Sequence, residues 1–98
     1  MNAVKKRGKI KRIIVTVKKV NGCKVHRPGD KVVFECVDES RVYVHGTICL
    51  GALTSLMPKV YAFHNNARFR WADEDDVVVH ACPDPETPVV FEVKRECE

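Results

Sequence analysis

Residues 12–20 read Arg-Ile-Ile-Val-Thr-Val-Lys-Lys-Val, and this stretch sets the pattern for the whole fold. Apolar side chains recur at every second position, at Ile13, Val15 and Val17. An alternation with a period of two predicts a β-strand that buries one face and exposes the other. The Asn-Gly pair at 21–22 is typical of a tight turn and ends the strand. We therefore expect this strand to belong to a sheet with one covered face.

Further strands and one helical stretch follow along the chain. A Pro-Gly-Asp turn at 28–30 opens the second strand, because proline fixes one φ angle and glycine supplies a positive one. The helical stretch is expected to be capped by Thr47, and Pro58 inside it should kink it or divide it into two short helices. The later strands are predicted at 31–37, 41–45, 76–82 and 88–95. This order predicts an α+β fold, with a mostly antiparallel four- to five-stranded sheet and the helix packed on one face.

Length and composition favour a single domain. The chain has 98 residues, of which 45% are hydrophobic, so it can build a core without disulfides. We divide it into a basic N-terminal arm at 1–11 and one α+β domain at 12–98. No run approaches the roughly 18 apolar residues of a membrane span, and no apolar segment of a signal peptide follows the basic start. These observations predict a cytoplasmic protein without a membrane partner.

The cysteines suggest a metal site. Five cysteines, without a secretion signal, indicate reduced thiols or ligands rather than a disulfide framework. Cys23 follows a glycine in a loop, Cys49 opens the helix, and Cys82 ends a strand directly before a proline. Thiols at the ends of three elements can converge, and thiolates suit zinc, copper(I) or an iron–sulfur cluster. His80 lies on the same strand face as Cys82, roughly 6.6 Å along the chain, and is the candidate fourth ligand of a tetrahedral zinc site.

The same cysteines allow two other interpretations. There is no C-x-x-C pair, and free cysteine is among the most buried residue types, so each thiol could belong to the core. Alternatively, a disulfide that joins Cys49 to Cys23 or to Cys82 would indicate a redox mechanism by thiol–disulfide exchange. Such a bond requires Cα atoms within about 7 Å of each other.

The remaining cysteines and histidines are not expected to carry chemistry. Cys36 shares the apolar face of the second strand and is assigned to the core, while Cys97 is assigned to an exposed terminus. His26 and His45 lie in or beside turns and are expected in solvent. His64 follows the helical pattern to its end, where its ring would complement the negative end of the helix dipole.

Charge is distributed unevenly. Eight of the 17 Lys and Arg residues lie in the first 19 positions, which contain no acid, so residues 20–98 carry a net charge of −4. A basic arm on an acidic body could bind nucleic acid. The candidate nucleic-acid-binding cations are Lys5, Lys6, Arg7, Lys9 and Lys11 in the arm and Arg12 directly after it. No aromatic side chain interleaves them as a stacking platform would require, which favours a solubilising role in which lysines block edge-to-edge strand pairing.

Several motifs together resemble a known family. They are Gly22-Cys23, Pro28-Gly29-Asp30, Ile48-Cys49, Cys82-Pro83-Asp84 and the strand Val-Val-Phe-Glu-Val at 89–93. In these motifs the chain is similar, over nearly its whole length, to a TIGR-numbered family of small prokaryotic proteins to which no reaction is assigned. The resemblance implies that the cysteines in these motifs are the family's motif cysteines and that the other two are not. The chain departs from the family pattern at Leu50, where proline is expected, and in its longer basic arm.

These observations favour a small cytoplasmic protein with a cysteine-lined site for zinc, an iron–sulfur cluster or redox chemistry. Whether it is an enzyme stays open. One alternative is a binding module whose basic arm contacts nucleic acid, with an affinity that falls steeply with salt. The other is a structural or partner-binding domain whose thiols are buried. The sequence leaves open nucleic acid and a second copy of the chain as partners.

Overall fold

The computed structural model of the chain describes residues 10–22, 24–38, 40–65, 67, 77–83 and 86–97. In these residues there are five strands and one helix. They are β1 (Ile10–Val20), β2 (Lys31–Cys36), β3 (Val42–His45), α1 (Leu50–His64), β4 (Val78–Ala81) and β5 (Val89–Cys97). The predicted α+β fold is confirmed. Because β1 begins at Ile10, the last two positions assigned to the basic arm belong to this strand.

The strands form one antiparallel sheet in the order β3-β2-β1-β5-β4. The strand predicted from residues 12–20 lies at its centre, where Val15 is opposite Val32 on one side and Val93 on the other. The C-terminal strand β5 pairs along almost the whole of β1, from Val20 opposite Val89 to Ile10 opposite Cys97. The two ends of the described chain therefore hold each other in the sheet.

One face of the sheet and one stripe of α1 make the core. The buried strand residues alternate along β1, β2 and β5, as a period of two requires: Ile13, Val15, Val17, Val32, Phe34, Val89, Phe91 and Val93. The helix covers them with side chains spaced three or four residues apart: Ala52, Leu56, Val60 and Phe63. Full burial of each large apolar side chain stabilises the fold by roughly 1.5–3 kcal/mol. The alternation that predicts β1 thus also defines the covered face.

Two glycines with positive φ angles occupy the turn before β2 and the connection from β3 to α1. Gly29 has a φ of 92°, as the Pro-Gly-Asp turn predicts, and its N–H donates to the carbonyl of Val17 at 2.8 Å. Gly46 has a φ of 113°, and a Cβ at this position would lie 2.7 Å from the carbonyl oxygen of Lys31. Only glycine fits there without displacing the backbone of β2. The short connection from β3 to α1 depends on this close approach.

Two local predictions were wrong, and one of the two outcomes expected for Pro58 does not occur. Cys49, not Thr47, is the N-cap residue of α1, and its side chain makes no capping hydrogen bond. Pro58 does not divide the helix, which continues as one element to His64. His26 is 3% exposed rather than solvated, because its loop folds over the end of the sheet and packs the ring against Phe91. In the part of the chain that the structure describes, no helix is long and apolar enough to cross a membrane.

Candidate functional site

The end of β1 and the connection between β4 and β5 lie side by side. The N–H of Asn21 donates to the carbonyl of Pro88 at 3.3 Å, and the N–H of Cys82 donates to the carbonyl of Val89 at 2.8 Å. A Cβ on Gly22 would lie 3.3 Å from Cγ2 of Thr87, so the Asn-Gly turn packs against this connection. The turn that leads into position 23 and the thiol of Cys82 therefore share one end of the sheet.

The start of α1 is attached to the same end through His26. The N–H of Cys49 donates to Nε2 of His26 at 3.2 Å, and the His26 ring contacts the Phe91 ring edge-on at a centroid distance of 5.3 Å. Cys49 and Cys82 are half-buried free thiols that pack against one hydrophobic core. We call this region, made of Asn21, Gly22, His26, Cys49 and Cys82, the cysteine end.

His26 carries an unused hydrogen-bond donor at the cysteine end. Because Cys49 donates an N–H to Nε2, that nitrogen must offer its lone pair, and the neutral ring then has its proton on Nδ1. Nδ1 is fully buried, and no described residue offers it a partner. A buried N–H without an acceptor costs about 1–3 kcal/mol. An electron-rich group beside Nδ1 would relieve this cost.

The structure describes only part of the predicted metal site. Among the described residues, no three His, Cys, Asp or Glu side chains lie close enough to share a metal ion. Cys23 lies outside the described residues. A site that joins Cys23, Cys49 and Cys82 therefore stays a prediction.

His80, the candidate fourth ligand, is engaged elsewhere. Its ring is 8% exposed, with Nε2 at 2.9 Å from Oγ of Ser55 and Nδ1 at 2.7 Å from Nζ of Lys59. Burial lowers the pKa of His80, and the positive charge of Lys59 lowers it further. The ring is therefore neutral at pH 7. To bind a metal ion it would have to give up one of these two partners.

The direction of the hydrogen bonds excludes a serine nucleophile activated by His80. The ammonium of Lys59 donates to Nδ1, so the single proton of the neutral ring lies on Nε2 and is donated to Ser55 Oγ. The hydroxyl of Ser55 donates in turn to the carbonyl of Ala52 at 3.0 Å. A catalytic histidine would accept the hydroxyl proton instead. This network joins α1 to β4 and is structural.

A thiol–imidazole pair that the sequence did not predict lies at the other end of α1. Sγ of Cys36, the last residue of β2, is 3.2 Å from Nδ1 of His64, the last residue of α1. Burial raises the pKa of the Cys36 thiol. The two residues are 28 positions apart and belong to different elements, so no local pattern could have revealed their contact.

The cations of the basic arm lie mostly outside the described residues, namely Lys5, Lys6, Arg7 and Lys9. Lys11 is exposed, and Nε of Arg12 forms an ion pair with Glu96 at 3.4 Å. Across the sheet, Arg12 is opposite Glu35 on β2 as well as Glu96 on β5. The open face of the sheet therefore mixes both charges around Arg12.

Comparisons with protein-family models, with curated proteins and with solved structures find no match to this chain. The resemblance to the small prokaryotic family stays a prediction. Function must therefore be inferred from the chemistry of the side chains at the two ends of α1.

Proposed function

We propose that the protein binds a soft metal ion, zinc or the iron of an iron–sulfur cluster, through thiolates of Cys23, Cys49 and Cys82 at the cysteine end. The observation that carries this proposal is the convergence of three separate chain segments. Asn21, in the turn before position 23, and Cys82, directly after β4, form hydrogen bonds with residues at the start of β5. Cys49, the N-cap residue of α1, is joined through His26 to Phe91 within β5. Zinc and iron–sulfur sites take such ligands from several elements.

The chemistry at this end suits thiolates. Cys49 directly precedes α1, whose first turn holds no acidic residue and whose N-cap side chain makes no capping hydrogen bond. The positive end of the helix dipole there favours a negatively charged sulfur. The buried N–H of His26 Nδ1 is a suitable donor to such a sulfur, and donors of this kind orient and tune metal-bound thiolates. His26 would then be a supporting residue and not a ligand.

We infer that this function belongs in the reducing cytoplasm. Cys36, Cys49, Cys82 and Cys97 are all free in the described part of the chain. Reduced thiols persist in the cytosol and are the form that binds metal. The identity of the metal decides whether its role is structural or redox.

The test is metal analysis of protein purified without oxygen or chelator. We expect stoichiometric zinc or iron in the parent protein and in Cys97→Ser, whose thiol is exposed at the end of β5. Cys49→Ser and Cys82→Ser should lose the metal. His80→Asn should retain it, because His80 is held by Ser55 and Lys59. A visible absorption band would distinguish a cluster from zinc.

Two results would contradict the proposal. One is folded, metal-free protein that takes up neither zinc nor iron under reducing conditions. The other is metal that remains bound in both Cys49→Ser and Cys82→Ser, which would locate the ligands elsewhere.

A further inference from the structure

The C-terminal end of α1 brings together a nucleophile and a base. Cys36 and His64 are both half-buried, and their Sγ and Nδ1 atoms are 3.2 Å apart. Since burial raises the pKa of the thiol, its resting form is S–H. The thiol proton has two acceptors within reach, Nδ1 of His64 at 3.2 Å and the carbonyl of Phe34 at 3.9 Å, and the shorter contact is the one to Nδ1. A thiol in hydrogen-bond contact with an imidazole has the geometry of a cysteine nucleophile and its general base.

The position of His64 assists proton transfer. His64 is the last residue of α1, where the helix dipole presents its negative end. A positive imidazolium is stabilised at this end. When the proton of Cys36 moves to Nδ1, the positive charge therefore forms where the helix favours it, beside the negative sulfur. Burial opposes the free thiolate, so the transfer is most favourable during attack on a bound ligand.

A small apolar hollow adjoins this pair. It has a volume of about 160 Å³ and lies between β3 and the C-terminal half of α1. Its walls are Ser40, Val42, Met57, Val60, Tyr61 and His64 itself. Cys36 itself is not part of the wall, but two of its neighbours are: Val42, which is opposite it in the β2–β3 pairing, and His64, which its thiol contacts. An apolar cavity of this size can admit one benzene-sized ring.

We propose that Cys36 is a thiol-exchange site for small disulfides that carry an apolar ring, with His64 as the general base. The ring enters the hollow, and Sγ of Cys36 attacks one sulfur of the disulfide. The Cys36 S–S bond forms as the bond between the two ligand sulfurs breaks. Nδ1 of His64 takes the thiol proton and returns it to the departing thiolate. The products are a mixed disulfide on Cys36 and one free thiol, so the ligand is the only oxidant required.

The experiment compares two disulfides on the reduced, full-length protein. Dipyridyl disulfide carries neutral rings, and glutathione disulfide carries charged peptide groups. Peptide mapping by mass spectrometry gives the labelling rate at Cys36, with the exposed Cys97 as an internal reference. We expect the ratio of the Cys36 rate to the Cys97 rate to be at least about tenfold higher for the ring-bearing disulfide, because only its ring can be buried in the hollow.

Variants test the base and the hollow separately. His64→Gln should slow labelling of Cys36 by about 100-fold and should remove the imidazole step from its pH–rate profile, with Cys97 unchanged. Met57→Lys places a charge in the hollow and should abolish the preference for the ring. Leu50→Lys is the matched control, since Leu50 is 74% exposed at the opposite end of the same helix.

The proposal is overturned if Cys36 stays unlabelled in the folded protein, or if its rate is the same in His64→Gln. Thermal unfolding shows whether His64→Gln is folded. If His64→Gln is unfolded, Met57→Lys is the deciding variant. An unchanged preference for the ring-bearing disulfide in Met57→Lys then rejects the site. The outcome is independent of metal binding, because Cys36 is not among the proposed ligands.

Discussion

At the scale of single residues, hydrogen-bond direction decides what each polar group can do. Lys59 donates to His80, and this fixes the ring proton on the nitrogen that faces Ser55. Cys49 donates to His26, and this leaves a buried donor on the other nitrogen of that ring. His80 and His26 are similarly buried, but they differ in how many of their ring nitrogens have a hydrogen-bond partner. His80 is engaged at both ring nitrogens, whereas His26 has one buried ring nitrogen without a partner among the described residues.

Asp38 gives a pH-dependent prediction at the same scale. Its carboxylate accepts hydrogen bonds from the side chain of Arg41 at 2.7 Å and from the backbone N–H groups of Ser40 and Arg41 at 2.9 and 2.8 Å. The Arg41 side chain is the largest cause of the lowered pKa of Asp38, followed by the Ser40 backbone. A lowered folded-state pKa means that the stabilisation is present above pH 3.8, the ordinary value, and is lost as the pH falls through the folded pKa.

We therefore expect Asp38→Asn to lower stability at neutral pH and to flatten the acid limb of the stability curve. Urea unfolding at a series of pH values from neutral down through the acid limb measures both effects. Ser40→Ala is the control, because it removes only a hydroxyl contact at 3.4 Å and leaves the carboxylate and its Arg41 partner in place. An acid limb of equal slope in Asp38→Asn and the parent would show that this carboxylate does not carry the effect.

At the scale of elements, α1 carries both candidate sites. Its N-cap, Cys49, belongs to the cysteine end, and its last residue, His64, contacts Cys36. The helix has 15 residues and is about 22 Å long, so the two sites are separated by roughly that distance. Its buried stripe packs against the sheet between them. The placement of Cys49 therefore depends on the short connection that enters the helix through Gly46.

Two glycines allow a matched test of that connection. Gly46 and Gly29 both have a positive φ, at 113° and 92°, so Ala at either position should cost about 1–2 kcal/mol in backbone strain. A Cβ at Gly46 would also meet the Lys31 carbonyl oxygen at 2.7 Å, whereas a Cβ at Gly29 would meet nothing within 4 Å. We expect Gly46→Ala to lower the free energy of unfolding more than Gly29→Ala does. Equal losses, measured by urea unfolding, would contradict the importance of the close approach.

At the scale of the whole molecule, the sheet order determines which distant residues meet. The C-terminal strand pairs with the central first strand, and this pairing places the β4–β5 connection beside the Asn-Gly turn. The helix crosses over the sheet, and the hydrogen bond from the N–H of Cys49 to His26 attaches the start of the helix to the same end. Cys49 and Cys82, which are 33 residues apart in sequence, and the turn at Asn21 and Gly22 therefore share one end of the fold.

This arrangement predicts that metal binding and global stability are coupled. If zinc binds only the folded state, free zinc at 100 times its dissociation constant should raise the free energy of unfolding by about 2.7 kcal/mol. A chelator should reverse the gain in the parent protein and in Cys97→Ser. Thermal unfolding of Cys49→Ser should be insensitive to both zinc and chelator. A zinc response of the same size in Cys49→Ser would place the binding outside the cysteine end.

The fold class, the strands and the covered face of the central strand could be predicted from the sequence. Local alternation at Ile13, Val15 and Val17 and the turn at Pro28-Gly29-Asp30 are properties of neighbouring residues, and burial follows from them. Three features could not be predicted and are visible only in the folded chain: the burial of His26, the engagement of His80 by Lys59 and the contact of Cys36 with His64. These three features depend on which elements pack together. The pairing of β5 with β1 and the position of α1 over the sheet bring the residues into contact. No local pattern encodes contacts of that kind.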